Sequence, residues 1–389
     1  MWHMKFKPYE FISVRTISFA IIYVLFGQLL FGSGIVLPVL TLLSLVTSVV
    51  YFGNIKISQS YGIFLLITSI FSLLITDDME TTKSCIVLLL KALLFFIAII
   101  NSMKFESGFK CIRLSTIFSG VMIAIMLFNN SAGGGRVSAS DKINENVVAA
   151  TLLVSVFMSV YELEKRKKKI YRIIILFCIG IMSFASVLTG TRKIFLAIVA
   201  FICLYLFITK FINHDRKMNL RKLSVIIIGI TFLYFFVSYA MDSIIGERFL
   251  STGYEGDKMR QFFYLTAFNM FKEKPLFGFG WGGFTAKVGM YSHSTYGELL
   301  ANTGCIGIVL FFVYVFSIIV KIYRKIRYVS KTNNENYNVY KIALLSFLIL
   351  LILGLGTVLF YEINLTLAIA IVYFLSTSNT YEQRREEMK

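Results

Sequence analysis

Twelve stretches of up to about 20 apolar residues, parted by short polar segments, run along almost the whole chain. Their approximate limits are 16–31, 35–53, 61–76, 84–101, 112–128, 146–161, 171–189, 193–212, 223–241, 304–322, 341–360 and 363–376. The hydrocarbon core of a bilayer is about 30 Å thick and takes about 20 helical residues to cross. A helix is also the element that satisfies its own backbone in lipid. The pattern predicts an all-α polytopic membrane protein with about 12 transmembrane helices. The first run has no small-residue cleavage site after it. Phe31-Gly32-Ser33-Gly34 leads straight into the next run, so it is expected to stay as a span and not be removed as a signal peptide.

One segment interrupts the alternation. Residues 242–303 form a long polar-to-aromatic stretch, rich in glycine and poor in the residues that favour disorder. The chain therefore divides into an N-terminal transmembrane bundle of about nine helices (1–241), a large loop (242–303), and C-terminal transmembrane helices with a tail (304–389). Within the loop, Phe263, Ala267, Met270 and Phe271 recur at helical spacing after Arg260, which predicts an amphipathic helix lying on the membrane.

Composition supports the membrane reading. Hydrophobic residues make up 57% of the chain and charged residues 15%, too little polar surface to cover a soluble protein of this length. Charge orients it. With both termini in the cytoplasm, the inner segments hold 27 of the 39 Lys and Arg, the outer segments hold 11, and Lys91 lies within a run. Acidic residues divide as 9 inner and 12 outer. The predicted location is a multi-pass bacterial inner (plasma) membrane protein, with the large loop extracytoplasmic. The basic excess faces anionic lipid and gives no reason to expect nucleic acid. The five cysteines sit in or beside apolar runs without a Cys-x-x-Cys pair, and the three histidines form no metal signature, so no metal or other cofactor is expected.

The candidate chemistry lies on the predicted outer side. Arg192, in Gly190-Thr191-Arg192-Lys193, either snorkels to the interface or faces a cavity at membrane level where Gly190 breaks the helix. A guanidinium there suits a phosphate, which it grips with two parallel hydrogen bonds. Arg248 and Arg260 follow in the large loop. Arg248 stands beside Glu247 as a ready partner, and Arg260 is open to a plain headgroup reading. Pro275-Leu276-Phe277-Gly278-Phe279-Gly280 stops the helix in a glycine-rich turn where backbone can approach a ligand closely. His293 is the one histidine near the outer face and the side chain best suited to proton transfer near neutral pH. Ser292 and Ser294 are candidate caps for the helix entering the next span, and Glu298 follows five residues after His293.

In this order the motifs resemble the O-antigen polymerase and O-antigen ligase superfamily of bacterial envelopes. The resemblance rests on Gly190-Thr191-Arg192-Lys193, on Arg248 and Arg260, on Lys274-Pro275-Leu276-Phe277-Gly278-Phe279-Gly280, and on His293 through Gly304 and Gly307. Arg136 with Asn146-Val147-Val148-Ala149 is a weaker fifth place. Ser294 and Asn302 depart from the residues common in the family. The resemblance implies a GT-C-like glycosyltransferase acting on the outer face without a metal. It would transfer a growing glycan from undecaprenyl diphosphate onto another lipid-linked repeat unit, as an O-antigen or capsule polysaccharide polymerase. The alternatives are ligase-type transfer to another acceptor and a lipid-linked oligosaccharide flippase. In the implied roles His293 is catalytic, Arg192, Arg248 and Arg260 hold the diphosphate, and Arg136 and Glu298 are secondary. The implied partners are undecaprenyl-diphosphate-linked oligosaccharide and membrane lipid, with a separate flippase and chain-length regulator acting alongside.

Overall fold

A computed structural model describes residues 8–27, 35–131, 137–138, 144–210, 231, 234–243, 245–247, 255–331 and 336–378. Among them every regular element is helical. The elements are α1 (Pro8–Ile22, continued by a π-turn over Tyr23–Gly27), α2 (Val36–Phe52), α3 (Gln59–Ile75), α4 (Met79–Ser102), α5 (Gly108–Asn130), α6 (Glu145–Lys165), α7 (Lys169–Leu188) and α8 (Arg192–Lys210). After these come α9 (Glu255–Glu273), α10 (Gly283–Val288), α11 (Thr295–Lys331), α12 (Tyr337–Leu353) and α13 (Ile363–Thr377).

A helix occupies each predicted apolar run except 223–241, most of which lies outside the described residues. Among the described residues six stretches are long and apolar enough to cross a membrane: Pro8–Gly27, α4, α5, α6, α7 and Thr295–Ser330. The helices α2, α3, α12 and α13 are shorter apolar ones. Two boundaries differ from expectation. Within the described residues the first helix already includes Pro8, ahead of the apolar run, and proline is accepted in a first helical turn where the missing N–H has no partner to lose. The run 341–360 stops being helical at Leu353, and the remainder forms a loop from Gly354 to Glu362 that reaches the site described below.

The core is built on α6. It buries Val148 through Leu163 without a break and packs against α5, α7, α8, α12 and α13. Small residues allow the close approach that membrane helices need. At Gly120 on α5 an added Cβ would lie 2.4 Å from the Ser155 Cβ of α6, and the Ser155 hydroxyl donates to the Thr116 carbonyl at 2.9 Å. Hydroxyls of Ser13, Ser44, Ser48 and Ser102 join α1, α2 and α4, with Ser13–Ser48 at 2.6 Å and Ser44–Ser102 at 2.8 Å. The buried Arg113 of α5 meets Glu162 of α6 at 2.8 Å, and Arg166 takes the other oxygen of the same carboxylate. On α2, Val39, Leu42, Leu43, Val46 and Val50 form an exposed apolar stripe at helical spacing, as a lipid-facing surface requires.

The glycine-rich part of the 242–303 segment is woven into the bundle. Trp281 is fully buried, with its backbone N–H on Ser72 Oγ at 2.9 Å and its indole N–H on Thr68 Oγ1 at 3.1 Å. Its ring meets Phe64, Phe360 and Tyr361. Helix α9 follows the predicted periodicity: Phe263, Ala267 and Met270 are buried, while Met259, Phe262, Leu265 and Phe268 on the other faces are exposed.

Candidate active site

Three elements far apart in sequence meet at one end of the bundle. Thr189 and Gly190 separate α7 from α8, and Gly190 adopts the left-handed φ of +63° that lets the chain reverse there. Arg192 and Lys193 thereby stand on the first turn of α8, where the exposed N–H groups of a helix already favour an anion. The Lys193 ammonium donates to the Gly356 carbonyl in the loop after α12. The Thr191 hydroxyl donates to Asn146 Oδ1 at the start of α6, 3.2 Å away. Arg260 comes from α9 and His293 from the segment between α10 and α11. Arg192, Lys193, Arg260, Phe263, Asn146 and His293 all line one cavity of about 320 Å³, with Gly356 at its edge.

His293 is held in an unusual state. Among the described residues it is the one non-glycine with positive φ, +56°, a conformation that costs of order 1–3 kcal/mol and persists only where its surroundings impose it. Its ring lies 4.3 Å from that of Tyr291 and 5.8 Å from that of Phe263. Among the described residues nothing hydrogen-bonds to its ring nitrogens. Burial, then the nearby charges of Lys193 and Arg260, hold its pKa below the ordinary histidine value. The imidazole is therefore neutral at neutral pH and able to accept a proton.

Glu298 has another place. It is fully buried on the first turn of α11. One of its carboxylate oxygens accepts the Ser292 backbone N–H at 2.8 Å; the other accepts the Asn302 amide at 2.9 Å and the Tyr361 hydroxyl at 3.2 Å. It fixes the backbone next to His293. Asn302 passes the tie onward, because its Oδ1 accepts the Phe284 N–H at the start of α10. Ser294 caps α11, accepting the Gly297 N–H at 3.3 Å, and the Ser292 hydroxyl donates to the Ser294 carbonyl.

The glycine-rich turn approaches the protein's own backbone. Helix α11 is broken at Gly304, with φ 59° and ψ −157°. The turn fills the break. The N–H groups of Phe279 and Gly280 donate to the carbonyls of Ala301 and Asn302, and those of Cys305 and Ile306 donate to Pro275 and Leu276. Hydrogen bonds that the helix loses at the break are thus made between strands of backbone. A Cβ at Gly278 would lie 2.5 Å from the Asn302 carbonyl carbon, and one at Gly304 2.6 Å from that of Leu276, so both positions require glycine.

Of the residues predicted for the site, the structure brings Arg192, Arg260 and His293 together. It places Glu298 behind them as a structural tie. Arg136 and Arg248 lie outside the described residues. Sequence reasoning passed over Lys193 and Glu362. Lys193 was visible as the second cation of the Arg192 turn. Glu362 lines a small recess with Lys193, Tyr291 and His293; burial raises its carboxyl pKa while Lys193 lowers it. Its signal was an acid standing between two apolar runs. Among the described residues no group of three His, Cys, Asp or Glu is placed to hold a metal ion.

Residues 177–312 match the family model described as O-antigen ligase. This stretch is similar to the O-antigen ligase domain. The matched stretch spans Arg192, Arg260 and His293, together with the glycine turn and the Gly304 break. Asn146 and Gly356 complete the cavity from outside it. The match indicates a ligase- or polymerase-type activity in O-antigen-related polysaccharide biosynthesis, with glycosyltransferase-like chemistry on lipid-linked oligosaccharides. With the apolar helices it fits a multi-pass inner-membrane protein. A comparison with curated proteins finds no match.

Proposed function

We propose that the chain is a polysaccharide polymerase that transfers a growing glycan from a polyprenyl diphosphate onto a second lipid-linked repeat unit, on the outer face of the membrane. The observation that carries this reading is the convergence of Arg192, Arg260 and His293 on one cavity. The acceptor hydroxyl attacks the anomeric carbon of the donor sugar, and the bond from that carbon to the diphosphate oxygen breaks. Arg192 and Arg260 hold the charge that grows on the departing diphosphate, a task suited to fixed donors in a site shielded from water. His293 takes the hydroxyl proton.

The electrostatics favour an ordered reaction. In the empty cavity Lys193 and Arg260 depress the His293 pKa. A bound diphosphate offsets those cations, so the imidazole becomes a stronger base once the donor is in place. Substrate binding then prepares the proton acceptor.

The test is in vitro chain extension by the purified protein with lipid-linked repeat units. His293→Gln keeps a hydrogen-bonding side chain without proton transfer and should lower the rate by about 10²–10⁴-fold, with donor binding retained. Near-normal extension by this variant sinks the base role. Ligase-type transfer is favoured instead if the wild-type protein moves a finished chain to a different acceptor and does not lengthen it.

A further inference from the structure

The opposite end of the bundle holds a second and larger cavity, of about 640 Å³. Helix α6 relates the two: Asn146 near its start lines the first cavity, and Lys165 at its end lines this one. Three lysines line it, Lys56, Lys104 and Lys165, against one carboxylate, Glu106. They come from three separate places, the connection between α2 and α3, the connection between α4 and α5, and the last residue of α6. The size lies within the range of about 300–1,000 Å³ usual for small-molecule sites.

A lysine that serves only to mark the cytoplasmic side needs to be near the interface and nothing more. These are held in place. The Lys104 ammonium donates to the Asn54 carbonyl at 3.1 Å and to Asn54 Oδ1 at 2.9 Å, 5.3 Å from the Phe52 ring centre. Lys56 sits 5.0 Å from the Phe374 ring centre, and its backbone is clamped by Asn101, which accepts from its N–H and donates to its carbonyl. Lys165 donates to Asn336 Oδ1. Behind Tyr340, which lines the wall, lies Lys325, 5.5 Å from that ring centre; no hydrogen-bond acceptor among the described residues reaches its buried ammonium. Burial also lowers the Lys104 pKa, a desolvation cost that an anion in the cavity would offset.

We propose that this cavity binds a phosphate group, carried either by the headgroup of an inner-leaflet lipid or by a soluble phosphate. Lysines are point donors that suit a phosphate oxygen. The aromatic walls formed by Phe52, Phe105 and Phe374 suit the apolar body of a lipid held by its headgroup.

The full chain in nanodiscs containing phosphatidylglycerol and phosphatidylcholine is the material for the test, with lipid retention read by native mass spectrometry. In parallel, thermal unfolding is followed in sodium phosphate and in sodium chloride at equal ionic strength. Preferential retention of phosphatidylglycerol, weakened about tenfold in Lys56→Gln/Lys104→Gln, supports a lipid headgroup. A phosphate-dependent rise in unfolding temperature that the double variant loses, without lipid preference, supports a soluble phosphate. If wild type and double variant retain lipid alike and respond to phosphate alike, the proposal is overturned. Should the double variant fail to fold, Lys165→Gln changes one exposed side chain, and unaltered binding there overturns it equally.

Discussion

Arg192 and Arg260 show how much a single side chain can be asked to supply. A charge-assisted contact to a phosphate contributes about 1.5–3 kcal/mol, so Arg192→Ala or Arg260→Ala should each cost at least about tenfold in chain extension. Lysine at either position keeps the charge and loses the fork, and should restore part of the rate. Wild-type chain length in an Arg192→Ala strain with normal protein level would count against the diphosphate role. His293 gives a second expectation. Its pKa is held below the ordinary histidine value, so the acid limb of kcat/KM, which reports the free enzyme, should lie below about 6.5. The acid limb of kcat, measured with donor bound, should lie higher, because the diphosphate offsets Lys193 and Arg260. Coincident limbs would remove the coupling. These residues were legible from sequence because arginine and histidine are rare in the segments that charge assigns to the outer side. Lys193 and Glu362 were passed over because each looks like an ordinary boundary charge until the fold brings it beside His293.

At the scale of the element, the splice between α11 and the Pro275–Gly283 turn governs stability. Gly278→Ala and Gly304→Ala combine a left-handed backbone with a Cβ driven into backbone atoms at 2.5 and 2.6 Å. Gly289→Ala shares the positive φ of +86° but meets nothing within 4 Å. It should cost only the conformational penalty, about 1 kcal/mol, while the other two should cost several times that. Unfolding temperature and protease cleavage in the turn, compared across the three variants, check the order, and equal losses would contradict the splice. Asn302→Ala should also destabilise, by about 1–3 kcal/mol, since it strips the buried Phe284 N–H of its partner and leaves one Glu298 oxygen with the Tyr361 hydroxyl alone. The glycine motif itself could be read from sequence, but its purpose could not. A turn that receives a ligand and one that receives another stretch of the same backbone call for the same residues. The break at Gly304 was likewise hidden inside an apolar run, where periodicity reports burial and says nothing of φ.

For the whole molecule, the segments assigned by charge to opposite faces line two different cavities at opposite ends of α6. Reporter fusions at Lys167 and Asn336 should read cytoplasmic, and those at Ser138 and Lys258 external; a cytoplasmic signal at Lys258 would remove the basis for an outer-face reaction. Apolar runs revealed most helices because a span must hide its backbone from lipid along its entire length. The loop from Gly354 to Glu362 was absorbed into a span for a related reason: Leu355, Val358, Leu359 and Phe360 are as apolar as any helix interior, and Val358, Leu359 and Phe360 are buried in the loop while Leu355 stays exposed.

The splice has a mechanical meaning as well. Because Pro275 and Leu276 follow α9 directly and are stitched into α11, the arginine on α9 and the histidine ahead of α11 belong to one stiff jaw. Tyr264 and Thr295 fasten the loop that carries Gly356 to the same jaw, and Arg192 and Lys193 face it from α8, joined to it where Lys193 donates to the Gly356 carbonyl. A repeat unit of different bulk cannot be accommodated by stretching that jaw. On the proposed reaction it must be met from the α8 side, so sugars of different size should select for changes in the α7–α8 turn long before they alter anything between Arg260 and His293.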